Sequence, residues 1–334
     1  MTHRREFLKT MAAMTAGVSV TPTLYANTPI EDKLGELLPL RKLGKTGENI
    51  TMLGVGGYHI GWTSERDAQE VIEAALQGGI RFFDTAEQYG PGTSEERYGK
   101  YLTPKYRELV FLMTKTQARN AKDAQQHLED SLRRMKTDYL DLWQMHSLFT
   151  PEDVDSRMQD KVLDVLIKAK ESGKVKHIGF TGHQNPFAHN RMLELTRESD
   201  PIDTVQMPVN VLDQSYFSFI NHVMPELMER NIGVLAMKTL ADGRFFATKE
   251  QANWKTDDPI IPNYISIEEA MHFVWSLPVS TIITGAEKAD YIRDKVEMAR
   301  SFVKLNEADR LALVEKVKDK ALAGNIEYFK QKPA

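Results

Sequence analysis

The chain has 334 residues, 41% of them hydrophobic and 27% charged, the balance of an ordinary soluble globular protein long enough for one barrel-sized domain or two smaller ones. Its formal charge of −4 lacks the basic surplus of a nucleic-acid binder. It contains no cysteine, which removes disulfides, thiolate metal sites, iron–sulfur clusters and a cysteine nucleophile.

Residues 1–26 read as an export signal rather than as fold: a basic stretch (THRREFLK), a weakly apolar run (MAAMTAGVSV) and a small-residue stop. Arg4 and Arg5, followed by Phe7, Leu8 and Lys9, resemble the twin-arginine signal, whose pathway carries proteins already folded in the cytoplasm. A periplasmic or otherwise exported location is therefore expected, with the twin-arginine machinery as a partner. The apolar run is short of the roughly 20 residues a membrane span needs, so no stable span is expected. Cleavage after Ala26 removes Arg4, Arg5, Lys9 and Glu6 and leaves a mature charge of about −6. Residues 27–38 read as a solvated linker, and 39–334 as one domain, because no Pro-, Gly- or Ser-rich stretch interrupts it.

RKLGKTGENI follows, with turn glycines Gly44 and Gly47, and predicts a hairpin that could plug the bottom of a barrel. Eight short, continuously apolar runs then alternate with helical periodicity: 51–55, 80–84, 108–115, 139–145, 175–181, 204–209, 233–237 and 280–284. Unbroken apolar runs suit parallel strands covered on both faces. Between the first two, Ala68, Val71, Ile72, Ala75 and Leu76 recur at helical spacing behind the N-cap residue Ser64, and Gly78 ends the run. Val162, Val165, Leu166 and Ala169 repeat the pattern before Gly173. Eight such units in about 290 residues predict a (β/α)8 TIM barrel. The alternative is a doubly wound open sheet, which usually carries a Gly-rich phosphate turn leading straight into a helix; LGVGGYHIG is not followed at once by one. Residues 306–329 read as extra C-terminal helices.

Catalytic side chains of a barrel sit where the strands end. The second run ends at Asp84 with Tyr89 in its loop, the third ends near Lys115, and the fourth at His146. A carbonyl oxygen that gains negative charge needs a proton, and a phenol with a pKa near 10 gives one reluctantly at neutral pH. A lysine cation beside Tyr89 is expected to lower that pKa, a carboxylate to anchor the lysine, and a neutral imidazole to orient the carbonyl.

With RKLGKTG, GIRFFDTAEQYG, LMTK, TDYLDLWQMHS, IGFTGH, VQMPVNVLD, GVLAMKTLADG and VSTIITGAEK in place, the chain resembles the aldo/keto reductases over nearly all of residues 40–300. The resemblance implies an NAD(P)-dependent oxidoreductase that interconverts an aldehyde, ketone or sugar carbonyl and its alcohol, with Asp84, Tyr89, Lys115 and His146 as the catalytic set. It implies NADP, less often NAD, bound extended across the barrel mouth. By position, Gly57 and Tyr58 flank the nicotinamide and Gln206 holds its carboxamide. The family's Ser-Asn after strand five is here Thr181-Gly182, which keeps the hydroxyl and loses the amide. Its Ser-Pro-Leu after strand seven is Lys238-Thr239-Leu240, where a lysine can pair with the pyrophosphate. At the adenosine end Gly285 is matched and Lys288 can meet a ribose phosphate, whereas Glu287 suits a free 2′-hydroxyl. Tyr291 and Lys295 stand where the family often has an arginine and an asparagine.

Tyr58, His59, Trp62, Phe149 and the insertion 241–264, including Trp254, are candidate substrate walls. His177, His183 and His189 lack ligand spacing on one element, and no metal is assigned. Two other functions stay open: a nucleotide-binding redox sensor or partner subunit without turnover, and an exported barrel with lyase or isomerase chemistry in which Tyr89 and His146 act as acid and base.

Overall fold

The computed structural model describes residues 30–243, 245, 264–322, 324 and 326–330. Residues 1–26, Trp254 and most of the insertion lie outside this range. Eight parallel strands, β5 (Leu53–Gly56), β6 (Phe82–Asp84), β7 (Phe111–Thr116), β8 (Leu140–Met145), β9 (Val175–Thr181), β10 (Thr204–Pro208), β11 (Gly233–Met237) and β12 (Thr281–Thr284), close into a barrel in chain order, β12 pairing back onto β5. Each lies on one of the eight apolar runs. The open-sheet alternative is excluded by the closure.

The helices form where capping and periodicity demand. Ser64 accepts a hydrogen bond from the Asp67 amide and starts the helix Glu65–Gln77, whose buried face is Ala68, Val71, Ile72, Ala75 and Leu76. The helix Val162–Glu171 buries Val162, Val165, Leu166 and Ala169 in the same way. A final helix, Glu307–Leu322, lies outside the eight units. No helix of the described residues is long and apolar enough to cross a membrane.

Two antiparallel pairs precede the barrel. In the hairpin β3 (Leu40–Lys42) and β4 (Asn49–Thr51), Ile50 and the turn residue Leu43 are buried with Phe82, Phe111, Met113, Leu142, Leu235 and Ile283 inside the barrel. The hairpin is the expected plug. Residues 30–38, expected within a solvated linker, instead form the pair β1 (Glu31–Asp32) and β2 (Gly35–Glu36). Asp32 accepts 2.6 and 2.8 Å hydrogen bonds from the Arg81 guanidinium, and the Leu38 amide bonds to Gly79 O at 3.0 Å. A bidentate carboxylate–guanidinium pair against a buried Arg81 gives this stretch a fixed place that composition does not reveal.

Candidate active site

The three catalytic strands end side by side at the mouth. Asp84 closes β6, Lys115 is the penultimate residue of β7, and His146 follows the last residue of β8. The parallel register pairs Asp84 with Met113 and Lys115 with Gln144, which sets the side chains at neighbouring depths. Tyr89 sits in the loop after β6. That loop is docked on the short helix Gly57–Trp62: a Cβ on Gly61 would lie 2.6 Å from Tyr89 O, and Gly90 has a φ of +61°. Glu87 ties the loop to the end of β7 by accepting the Gln117 amide at 2.8 Å, and its other oxygen lies 2.8 Å from His127 Nδ1.

Lys115 Nζ is the hub. It donates to Asp84 Oδ1, to Thr85 O at 2.8 Å and to the Tyr89 hydroxyl at 3.3 Å. The Tyr89 and His146 rings meet edge to face at 5.8 Å between centroids, and Tyr58 closes on the other side of Tyr89 at 5.6 Å. All four predicted residues are therefore together. Beneath them, the fully buried Glu95 accepts from Thr114 Oγ1 at 2.6 Å and from Arg134 Nε at 2.6 Å, a second anion under the lysine.

Electrostatics correct one expectation. Burial, then the Asp84 carboxylate, push the Tyr89 phenol well above its ordinary range rather than below it. The nearby Lys115 ammonium does not reverse this balance in the resting protein, so the phenol keeps its proton. Burial lowers Lys115 and raises Asp84, each opposed by the other's charge. Burial and the Lys115 cation hold His146 well below 6.5, so its imidazole is neutral at ordinary pH.

The residues expected to hold a nucleotide have mixed placements. Gln206 is 2% exposed, and its carbonyl Oε1 has no hydrogen-bond partner among the described residues. His146 Nδ1 and Thr239 Oγ1 are also buried without partners among those residues. An unpaired buried acceptor beside the catalytic set fits a ligand that brings an amide N–H, as a nicotinamide carboxamide does. Thr181 is buried at the end of β9. The lost asparagine at Gly182 has a steric reason: a Cβ there would stand 2.5 Å from Leu148 O and 2.8 Å from His189 Cε1. Tyr58 is exposed at the mouth, tilted against Trp62 at 6.2 Å.

A Cβ on Gly57 would lie 2.4 Å from Asp84 O, so this glycine lets the first loop close on β6. Gly285 serves packing in the same way, since a Cβ would meet His59 Nδ1 at 2.2 Å. Lys238 has a left-handed backbone with φ of 58°, and its ammonium pairs with Asp242 and lies 5.2 Å from the Phe329 ring centroid. Leu240 packs on the core. Lys288 is bound to Asp67 at 2.8 Å on the outer helix. Lys295, not among the expected ligands, turns inward to Gly285 O at 2.8 Å, where burial lowers it to about 8. His177 and His189 lie on separate elements, His189 between Phe180 and Phe219 at ring distances of 5.2 and 5.0 Å.

A closed barrel with an ionisable cluster at its C-terminal mouth defines the architecture of a TIM-barrel enzyme. The sequence profile described as the aldo/keto reductase family matches residues 52–260, and the chain belongs to that family of oxidoreductases acting on carbonyls and alcohols. It is 31% identical over 218 residues to the aldo-keto reductase YhdN of Bacillus subtilis, covering 60% of this chain and 62% of that one. It is 23% identical over 296 residues to the uncharacterized oxidoreductase YqkF of the same organism, covering 78% and 91%. In fold it is similar to the aldo-keto reductase AKR11C1 from Bacillus halodurans in its holo form, with a TM-score of 0.69, 20% identity, and 84% and 96% of the two chains covered.

Proposed function

We propose that the chain is a nicotinamide-dependent reductase of a small carbonyl compound, with Tyr89 as proton donor. The observation that carries this is the Lys115 ammonium, which touches the buried Asp84 and lies 3.3 Å from the Tyr89 hydroxyl beside the His146 ring. A bound reduced nicotinamide supplies hydride. Tyr89 holds the proton at Oη until negative charge grows on the substrate oxygen. Lys115 then stabilises the phenolate that is left, and Asp84 keeps the ammonium in place through the change. Neutral His146 orients the substrate oxygen without competing for the proton. Gln206 Oε1 would hold the carboxamide, with Thr181 and Lys238 as further contacts. NADP is favoured over NAD by the family resemblance; Lys238 is paired with Asp242 and Lys295 with Gly285 O, so neither cation decides the choice, and Glu287 lies near His59.

Replacement of Tyr89→Phe tests the reading. Loss of carbonyl turnover by about 10²–10⁴-fold, with nucleotide binding unchanged by titration, is expected for the general acid. Retained turnover would overturn it.

We further infer export of the folded, nucleotide-loaded protein, from Arg4 and Arg5 ahead of a nicotinamide-type site. Cell fractionation of the Arg4→Lys/Arg5→Lys variant checks this, the expected result being full-length protein retained in the cytoplasm. Unchanged export of the variant counts against the route. Mature protein that releases no nicotinamide nucleotide on denaturation counts against the cargo.

A further inference from the structure

Arg157 is a fully buried charged side chain near the mouth that the mechanism above does not use. Its side chain is 0% exposed. It stands at the end of the helix Pro151–Gln159, whose N-cap Thr150 accepts from the Asp153 amide. Nη1 donates to His146 O at 2.9 Å and Nη2 to Ser147 O at 3.0 Å. Nε and Nη2 also reach the Asp153 carboxylate at 3.2 Å, and Asp153 in turn accepts the Phe149 amide at 3.0 Å and pairs with Arg119. The turn after β8 is thus held on both sides: His146 N on Thr116 O at 2.7 Å, Leu148 N on Thr181 O at 2.8 Å, and the two carbonyls between them on one guanidinium.

That turn is strained. Ser147 has a φ of +56°, a left-handed conformation that non-glycine residues seldom hold without external restraint. Two consecutive carbonyls can face one partner only if the chain reverses there, and a planar guanidinium can bind both while keeping its carboxylate. A lysine is shorter and lacks the planar fork, so it cannot hold both carbonyls and the Asp153 carboxylate in this geometry. Burial and the nearby Arg119 lower Arg157 only to about 10, so it remains a cation at neutral pH.

We propose that Arg157 is a positioning residue for the substrate-orienting imidazole: by clamping the carbonyls of His146 and Ser147 it fixes the direction in which the His146 ring enters the mouth. This rests on the reading of His146 given above. The clamp acts through the carbonyls of His146 and Ser147, which bond to neither Lys115, Asp84 nor Gln206, so a loosened turn swings the imidazole and leaves those groups in place. Misplacement of a catalytic group by about 1 Å costs on the order of 10²-fold in rate.

The test uses the full mature chain with Arg157→Lys and Arg157→Gln, and with Asp153→Asn, which keeps the acceptor for Phe149 N and removes only the charge that holds the guanidinium. Near-ultraviolet dichroism and thermal unfolding select the folded variants. Turnover of a carbonyl panel, nucleotide affinity, and the His146 resonance in ¹³C-histidine-labelled protein (assigned by its loss in His146→Asn) are then measured. Arg157→Lys is expected to lower kcat about 30- to 100-fold, with nucleotide Kd within about two-fold of wild type and the His146 resonance displaced or broadened. Asp153→Asn moves the resonance the same way with a smaller loss of kcat, and serves alone if both Arg157 variants fail to fold. A folded variant with wild-type kcat, or a loss of turnover with an unmoved His146 resonance, overturns the proposal. Because the resonance is read without substrate, failure of the clamp is distinguishable from failure of the reductase reading, which Tyr89→Phe decides.

Discussion

Lys115 and Asp84 are almost completely closed off from solvent and bonded to each other, and the same ammonium lies 3.3 Å from the Tyr89 hydroxyl. Removing one partner of such a pair leaves an uncompensated buried charge. Lys115→Met is therefore expected to lower stability by about 3–5 kcal/mol in urea unfolding, unless Asp84 takes up a proton. It is expected to lower kcat/KM by about 10²–10³-fold. The double variant Lys115→Met/Asp84→Asn separates the two effects: it recovers most of the stability and none of the turnover. Recovery of turnover in the double variant would show that the lysine serves only to neutralise its neighbour.

The upward push on Tyr89 and the downward push on His146 set the pH profile. The donor must be protonated and the imidazole neutral for carbonyl reduction. Both conditions hold across the neutral range, so kcat/KM in the reductive direction is expected to be flat from about pH 7 to 9. It declines at higher pH, as the buried Lys115 loses its proton or the phenol ionises above its ordinary pKa of about 10. A profile rising steadily from pH 7 to 9, the mark of a group that must first lose a proton, would contradict the assignment of Tyr89 as the proton donor.

Gly182 has the backbone oxygen of Leu148 and the His189 ring pressed against its missing side chain. Gly182→Asn, which restores the residue type usual in the family, is expected to destabilise by about 1–3 kcal/mol through overpacking. Its nucleotide affinity does not rise. Denaturant unfolding and nucleotide titration of this variant measure the two outcomes.

His189 is buried between two aromatic rings, and burial lowers its pKa from 6.5 to about 3. The unfolded chain therefore binds a proton near pH 6.5 that the folded chain refuses. Stability from this group is fully present above pH 6.5 and is lost as pH falls, by about 1.4 kcal/mol per pH unit. At pH 5 the loss amounts to about 2 kcal/mol. His189→Phe is expected to flatten that part of the stability–pH curve, followed by chemical unfolding at pH 5 and 7.

Strand positions were legible because parallel strands covered on both faces must be apolar without interruption, and the four titratable residues follow from where those runs end. What the sequence left hidden depends on partners far along the chain. Lys288 meets Asp67 across 221 residues, and Asp32 meets Arg81 across 49, so a lysine read as a phosphate ligand and a stretch read as linker both turn out to be tethered. Arg157 was invisible for a different reason. Asp153 and Arg157 form an i,i+4 pair that looks like ordinary helix-surface charge, and the burial of Arg157 depends on the carbonyls of His146 and Ser147, which spacing does not place beside it. The direction of the Tyr89 shift was misread because spacing reveals the lysine's proximity but not how completely the phenol is buried.

The clasp between Asp32 and Arg81 lies at the entry of β6, under the floor of the barrel, and Ile30 just before it is open to water. Ile30 thus stands at the entry end of the strands, with the whole height of the stave wall between it and the reactive cluster.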